Sequence, residues 1–103
     1  MNEISFSEKC YELISKVPKG KVTTYQSIAK ALKTKAYRAV GNAMNKNPNA
    51  PKVPCHRVIK SNGEVGGYAH GQERKISILK KEGIDIISNR VDLSKYEFKL
   101  DHH

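Results

Sequence analysis

Pro48, Pro51 and Pro54 stand three residues apart in the segment NPNAPKVP. Each proline lacks the N–H that a helix needs and its ring clashes with the preceding turn, so this stretch is extended, stiff, and suited to positioning whatever follows it. The remaining proline is Pro18. Between these breaks the apolar residues follow helical spacing. Ser5 and Glu8 have the spacing of a capping box, and Phe6, Cys10, Leu13, Ile14 and Val17 recur on one face, predicting a first helix to about Val17. Thr23 and Gln26 make a second such box, ahead of a short helix with Tyr25, Ile28, Ala29 and Leu32 as its stripe. After Lys33-Thr34-Lys35, residues Ala36, Val40, Ala43 and Met44 resume helical spacing until Asn47-Pro48. Two short helices joined by a tight turn suggest a helix-turn-helix. Gly41 in the second costs about 1 kcal/mol against alanine, which points to something packing or docking closely there.

Beyond the proline segment, Val58-Ile59-Lys60 and Glu64-Val65 flank Ser61-Asn62-Gly63, predicting a short β-hairpin. Gly66-Gly67 opens a turn before Tyr68, and residues 72–82 form a last helix closed by Gly83. Residues 85–103 are a C-terminal extension in which Tyr96, Phe98 and Leu100 alternate, as either an edge strand or an ordered tail. The expected fold is one domain, mainly α with a small β-hairpin, winged helix-turn-helix-like, with its core over about residues 5–84. A chain of 103 residues holds one such core and not two.

Charge narrows the function. The net charge is +9, and residues 13–63 contain no Asp or Glu, while Lys16, Lys19, Lys21, Lys30, Lys33, Lys35, Arg38, Lys46, Lys52, Arg57 and Lys60 fall within them. Such a surface attracts polyanions and gains affinity by releasing their counterions, which makes nucleic acid the leading partner and a solubilising face the plainer alternative. No apolar run approaches the roughly 20 residues of a membrane span. Met1-Asn2-Glu3 does not open a secretory signal, so an intracellular location, in cytoplasm and nucleoid or in a nucleus, is expected.

The two cysteines need separate explanations. Cys10 lies on the apolar face of the first helix and fits a structural role. Cys55 lies in VPCHRV, beside His56 and Arg57, where positive charge favours the thiolate that acts as a nucleophile. A buried structural cysteine is the alternative. A structural zinc would need four Cys or His ligands in recognisable pairs, and Cys55-His56 with distant Cys10 and lone His70 do not supply them. No metal and no cofactor are expected. A protease-like dyad would need a third group to orient the imidazole, which sequence alone does not locate.

PCHRV at residues 54–58 resembles the active-site motif of the O6-alkylguanine-DNA alkyltransferases. The likeness continues through Thr24-Tyr25-Gln26 with Ile28-Ala29, Arg38-Ala39-Val40-Gly41-Asn42-Ala43-Met44, Asn47-Pro48, Gly66 to Tyr68, and Glu82-Gly83, covering about residues 6–83. It corresponds to the family's C-terminal domain, and the usual N-terminal domain has no counterpart in the sequence. The resemblance implies irreversible transfer of an alkyl group, chiefly methyl, from O6 of guanine to Cys55, once per molecule. It implies that His56 deprotonates Cys55 through a bound water, that Glu82 holds the imidazole tautomer, and that Tyr25 donates a hydrogen bond to the departing guanine. Arg38 corresponds to the family's arginine finger, which replaces the flipped base. Lys35, Tyr37, Ala39, Gly41 and Asn42 would bind DNA with it, the helix that carries Arg38 facing the minor groove of double-stranded DNA with weak sequence preference. Asn47 resembles the family's hinge asparagine. Tyr25, Val58, Tyr68, Ala69 and His70 would line the substrate pocket. Ala69 and His70 depart from the common pattern, removing a hydroxyl and adding bulk, which favours methyl over benzyl. A monomer is expected, with room for a separate protein in place of the N-terminal domain. The competing functions are a non-enzymatic alkyltransferase-like lesion-recognition protein, a class that lacks the reactive cysteine, and a helix-turn-helix regulator, which gives no reason for PCHRV.

Overall fold

In the computed structural model, residues 5–46, 53–68 and 70–100 are described. Helix α1 (Phe6–Ile14) begins at the expected capping box, with the Ser5 hydroxyl accepting from Glu8 N–H and the Glu8 carboxylate accepting from Ser5 N–H. It stops three residues before Val17. Lys16 and Val17 instead bond to the carbonyls of Leu13 and Ile14, a tighter turn that keeps Val17 in the interior.

Strand β1 (Thr23–Thr24) leads directly into α2 (Tyr25–Ala31). Its cap is Thr24 and not Thr23: Thr24 Oγ1 accepts from Ser27 N–H at 3.0 Å, while Thr23 is committed to the strand. Helix α3 (Tyr37–Asn45) packs on both α1 and α2. The Tyr11 hydroxyl donates to the Ala43 carbonyl at 2.7 Å and ties α1 to it. The chain then makes a single 3₁₀ turn over Cys55–Arg57, strand β2 (Val58–Ile59), α4 (Gln72–Lys81) and α5 (Leu93–Tyr96).

The expected turn at 61–63 is present, with Lys60 N–H on the Glu64 carbonyl, but the strand pairing is different. β2 runs parallel to β1, Thr23 opposite Val58 and Thr24 opposite Ile59. The reason is burial on both faces: Val58 enters a first core cluster with Cys10, Ile14, Ile28, Val40, Ala43, Met44 and Cys55, and Ile59 a second with Val22, Val65, Leu79, Ile84, Val91 and Tyr96. Glu64 bridges to Arg90 instead, and Gly63 takes φ +92° with room for no side chain, since a Cβ there would lie 2.9 Å from the Val91 carbonyl oxygen. The tight hairpin turn is Ile87–Arg90, where Ser88 and Asn89 both have positive φ.

The C-terminal extension is therefore part of the interior. Val91 and Tyr96 complete the second cluster, and Val22 is hydrogen-bonded on both sides, donating to the Tyr96 carbonyl and accepting from Phe98 N–H. Of the two alternatives for Tyr96, Phe98 and Leu100, the structure has a short helix followed by an edge pairing at Val22 and Glu97. No helix among the described residues is long and apolar enough to cross a membrane.

Candidate active site

Cys55 opens the 3₁₀ turn that the rigid Pro54 leads into, and it is 2% exposed. His56 follows at 2% exposure, with Nε2 3.0 Å from Glu82 Oε2. Glu82 caps the end of α4, so the pair brings together residues 26 positions apart. Arg57 clamps the same carboxylate from the other side, Nε on Oε1 at 3.0 Å and Nη2 on Oε2 at 2.7 Å, and its Nη1 donates to the Val17 carbonyl. One guanidinium thus ties the end of α1, the Cys55 turn and the end of α4.

Electrostatics fix the proton positions. Burial alone would raise the Glu82 carboxyl, but hydrogen bonds from Arg57 and His56, and their charges, hold it below its ordinary value. Burial lowers the His56 pKa; Glu82 opposes this, and the Arg57 and Lys75 charges reinforce it. A neutral imidazole facing a carboxylate places its hydrogen on Nε2 and its lone pair on Nδ1. Nδ1 is buried and has no hydrogen-bond partner among the described residues. The arrangement therefore provides a base whose free lone pair lies on the residue adjoining Cys55. Cys10 is different: burial pushes its thiol up to about 11.

Tyr25 starts α2, and burial, with the charge of Cys55 second, raises its hydroxyl to about 12, so it remains a donor. Tyr68 is also raised, first by burial and then by Cys55. Gly66 packs flat beside Tyr25 at φ +76°, where a Cβ would stand 3.8 Å from the Tyr25 hydroxyl oxygen. An open groove of about 350 Å³ is lined by Tyr25, Gln26, Tyr37, Arg38, Gly41, Lys60, Ser61 and Asn62. Arg38, Tyr37 and Asn42 are exposed on α3, opposite its buried face of Val40, Ala43 and Met44, and Ala39 and Gly41 are half-buried. No protein atom lies within 4 Å of a Cβ built at Gly41, so the close packing expected there does not occur within the described chain. A second groove, of about 570 Å³, is lined by Gln26, Lys30, Lys33, Thr34, Lys35 and Tyr37.

The structure places three of the expected pocket residues as follows. The Val58 side chain is wholly buried in the core, so only its carbonyl faces the site. Tyr68 is half-buried and packs on the first core cluster, which contains Cys55. His70 is exposed, stacks edge-on to Tyr68 at 5.3 Å, and borders a different groove along α4 with Gln72, Arg74 and Ser77. Asn47 and Ala69 lie outside the described residues. Two groups escaped the sequence reading: Arg57 as the clamp on Glu82, and Lys75, which is fully buried against Tyr25. Lys75 stands among Arg74, Lys80 and Lys81, which are exposed, and nothing near Arg57 in the sequence marks its pairing with Glu82, 25 positions on.

Residues 5–84 match the family described as 6-O-methylguanine DNA methyltransferase, DNA binding domain. The chain belongs to that family. Among its relatives, the methylated-DNA--protein-cysteine methyltransferase of Methanosarcina mazei is 47% identical over 78 residues, 75% of this chain and 49% of that protein. The chain spans between a third and about half the length of the first curated relatives it matches. Two solved family structures are similar. The O6-methylguanine-DNA methyltransferase of Pyrococcus kodakaraensis strain KOD1 superposes with a TM-score of 0.72 at 45% identity, over 79% of this chain and 47% of the other. S. pombe Atl1, solved in complex with damaged DNA containing O6-carboxymethylguanine, superposes with a TM-score of 0.83 at 31% identity, over 96% and 99%. The winged, mainly helical fold is thus that of the family.

Proposed function

We propose that this chain is the family's catalytic domain and repairs alkylated double-stranded DNA by taking a methyl group from O6 of an extruded guanine onto Cys55 Sγ. The observation that carries the reading is the buried Arg57–Glu82–His56 chain, which leaves a neutral imidazole with a free Nδ1 on the residue adjoining Cys55. His56 accepts the Cys55 proton through a water, and the thiolate sulfur attacks the methyl carbon. The S–C bond forms as the C–O6 bond breaks, and the electron pair returns to the guanine, where the Tyr25 hydroxyl stabilises the developing charge by hydrogen bonding. The products are S-methylcysteine and guanine, and nothing regenerates the thiol, so each molecule acts once.

A base within a duplex does not present O6 to a sulfur, so it must leave the stack. Arg38 stands exposed on α3 and forms no hydrogen bond or ion pair with the described residues, as a side chain that fills the vacated space requires. The open space over Gly41 suits close approach of α3 to a minor groove, with Lys30, Lys33 and Lys35 left for phosphates.

The second reading is lesion recognition without transfer, and the full-length likeness to S. pombe Atl1 favours it. Intact mass after incubation with O6-methylguanine duplex separates the two: transfer adds one methyl, about 14 Da, to a thiol nucleophile. An unchanged mass with tight, lesion-selective binding would establish the second.

A further inference from the structure

Lys75 is wholly buried, and among the described residues no other Lys, Arg, Asp or Glu is. Its ammonium has three donors and no lone pair. They meet the Val58 carbonyl at 2.6 Å, the Gly67 carbonyl at 2.9 Å and the Tyr25 hydroxyl oxygen at 3.4 Å, with Nζ also 5.7 Å from the centre of the Tyr25 ring. Among the described residues no salt bridge joins it to a carboxylate. Burying a cation without a carboxylate is costly, and a methionine would fill the same space without that cost. The mechanism above leaves this group unused.

We propose that Lys75 is a positioning residue that sets the direction of the Tyr25 proton. While Lys75 is an ammonium, the Tyr25 oxygen accepts from it, and the Tyr25 hydrogen is left to point into the groove that Tyr25 lines. A neutral amine has a lone pair and can accept that hydrogen, turning it away from the guanine. Tyr25 then contributes nothing to departure of the base, although its hydroxyl is intact. No proton changes owner in the active form; the lysine selects one of two hydrogen-bond directions.

Burial pushes the Lys75 ammonium down to about 7, with the charge of Cys55 opposing, so the choice falls within the working range. The ionisable groups around it are Tyr25 from α2 and Cys55 and His56 from the 3₁₀ turn. The inference rests on Cys55 being the methyl acceptor and is tested so that the two can fail separately.

Methyl transfer from one O6-methylguanine duplex is timed for the wild type and for Tyr25→Phe between about pH 5.5 and 9, and the ratio of rates is taken, which cancels what Cys55 and His56 contribute in common. Below the Lys75 transition the ratio should be about 5- to 150-fold, the worth of a hydrogen bond that strengthens as charge develops. Above it the ratio should fall toward one. A ratio constant across the range overturns the proposal. A second readout needs no transfer: with ¹³C-labelled lysine and tyrosine in the DNA-free protein, the Tyr25 ring and the Lys75 side chain should titrate with one shared midpoint. A Lys75 step that leaves Tyr25 unmoved, or the absence of any such step, overturns it even if Cys55 accepts no methyl group.

Discussion

Replacing Glu82 by glutamine changes one oxygen for one NH₂ and tests the proton arrangement around His56. In the wild type the carboxylate accepts three hydrogen bonds, two from Arg57 and one from His56. An amide keeps one acceptor oxygen. With the amide oxygen on Arg57 Nε, at the Oε1 position, the NH₂ group takes the Oε2 position and faces His56 Nε2, which must then become the acceptor, so the imidazole hydrogen moves to Nδ1 and the free lone pair is lost. General-base assistance is worth about 10²- to 10⁴-fold, and transfer by Glu82→Gln should slow by that order. Stability should also fall, because Glu82 and Arg57 are only 10% and 16% exposed and charge-assisted bonds at such a site contribute about 1.5 to 3 kcal/mol each. Losing one of them amounts to roughly 1.5 to 3 kcal/mol, or roughly 6 to 24 °C in Tm for a domain of this size. The pH dependence has a definite sign. A carboxyl held below its ordinary 4.5 contributes stability that is present above that value and lost as pH falls through its folded value. The Tm gap between wild type and variant should therefore close on acidification. Single-turnover transfer measured at low temperature, alongside thermal melts, checks both. Transfer within about threefold of wild type, in a variant whose Tm has dropped as expected, would refute the base assignment.

Three further outcomes are expected. Cys55→Ala should abolish the methyl mass gain and retain DNA binding, whereas Cys10→Ala, which removes a thiol buried in the core, should leave transfer intact; peptide mapping locates the methyl group. Arg38→Ala should slow repair of duplex DNA far more than reaction with free O6-methylguanine, and equal impairment of both would assign Arg38 to the pocket instead. Binding measured against salt should fall steeply, with a log–log slope of about −0.9 per phosphate contacted, and weak preference among undamaged sequences.

The features legible in the sequence were those fixed by near neighbours. Ser5 and Glu8 cap α1 because both partners lie within one turn, and Cys55 and His56 share one turn because they are adjacent. Thr23 and Thr24 could each cap α2; both pair with β2, 35 positions away, and it is Thr24 whose hydroxyl accepts from Ser27 N–H. The hairpin expectation failed for the same reason: a local turn at 61–63 was visible, but two-residue strands carry no pattern that names a distant parallel partner. Glu82 was assignable through family resemblance, while its clamp by Arg57 depends on α4 ending beside the Cys55 turn. Lys75 looks like Lys80 and Lys81 in the sequence; its position four residues before buried Leu79 is a hint that becomes meaningful only once the buried face of α4 is known.

The pairing of Val22 with Tyr96 and Phe98 bears on how the molecule comes into being. During synthesis the fully buried members of the first core cluster have all emerged once Val58 is made, with Tyr68 and Leu100 still to pack on it, so α1, α2 and α3 can pack early around Cys55. The second cannot close, because Val91 and Tyr96 are made last and Val22 waits across 74 positions for its partner. Contacts of such long separation form slowly, and the apolar surface of Val22, Ile59 and Leu79 remains uncovered meanwhile. A nascent chain paused before residue 91 should therefore hold a packed helical half beside an open, protease-sensitive one.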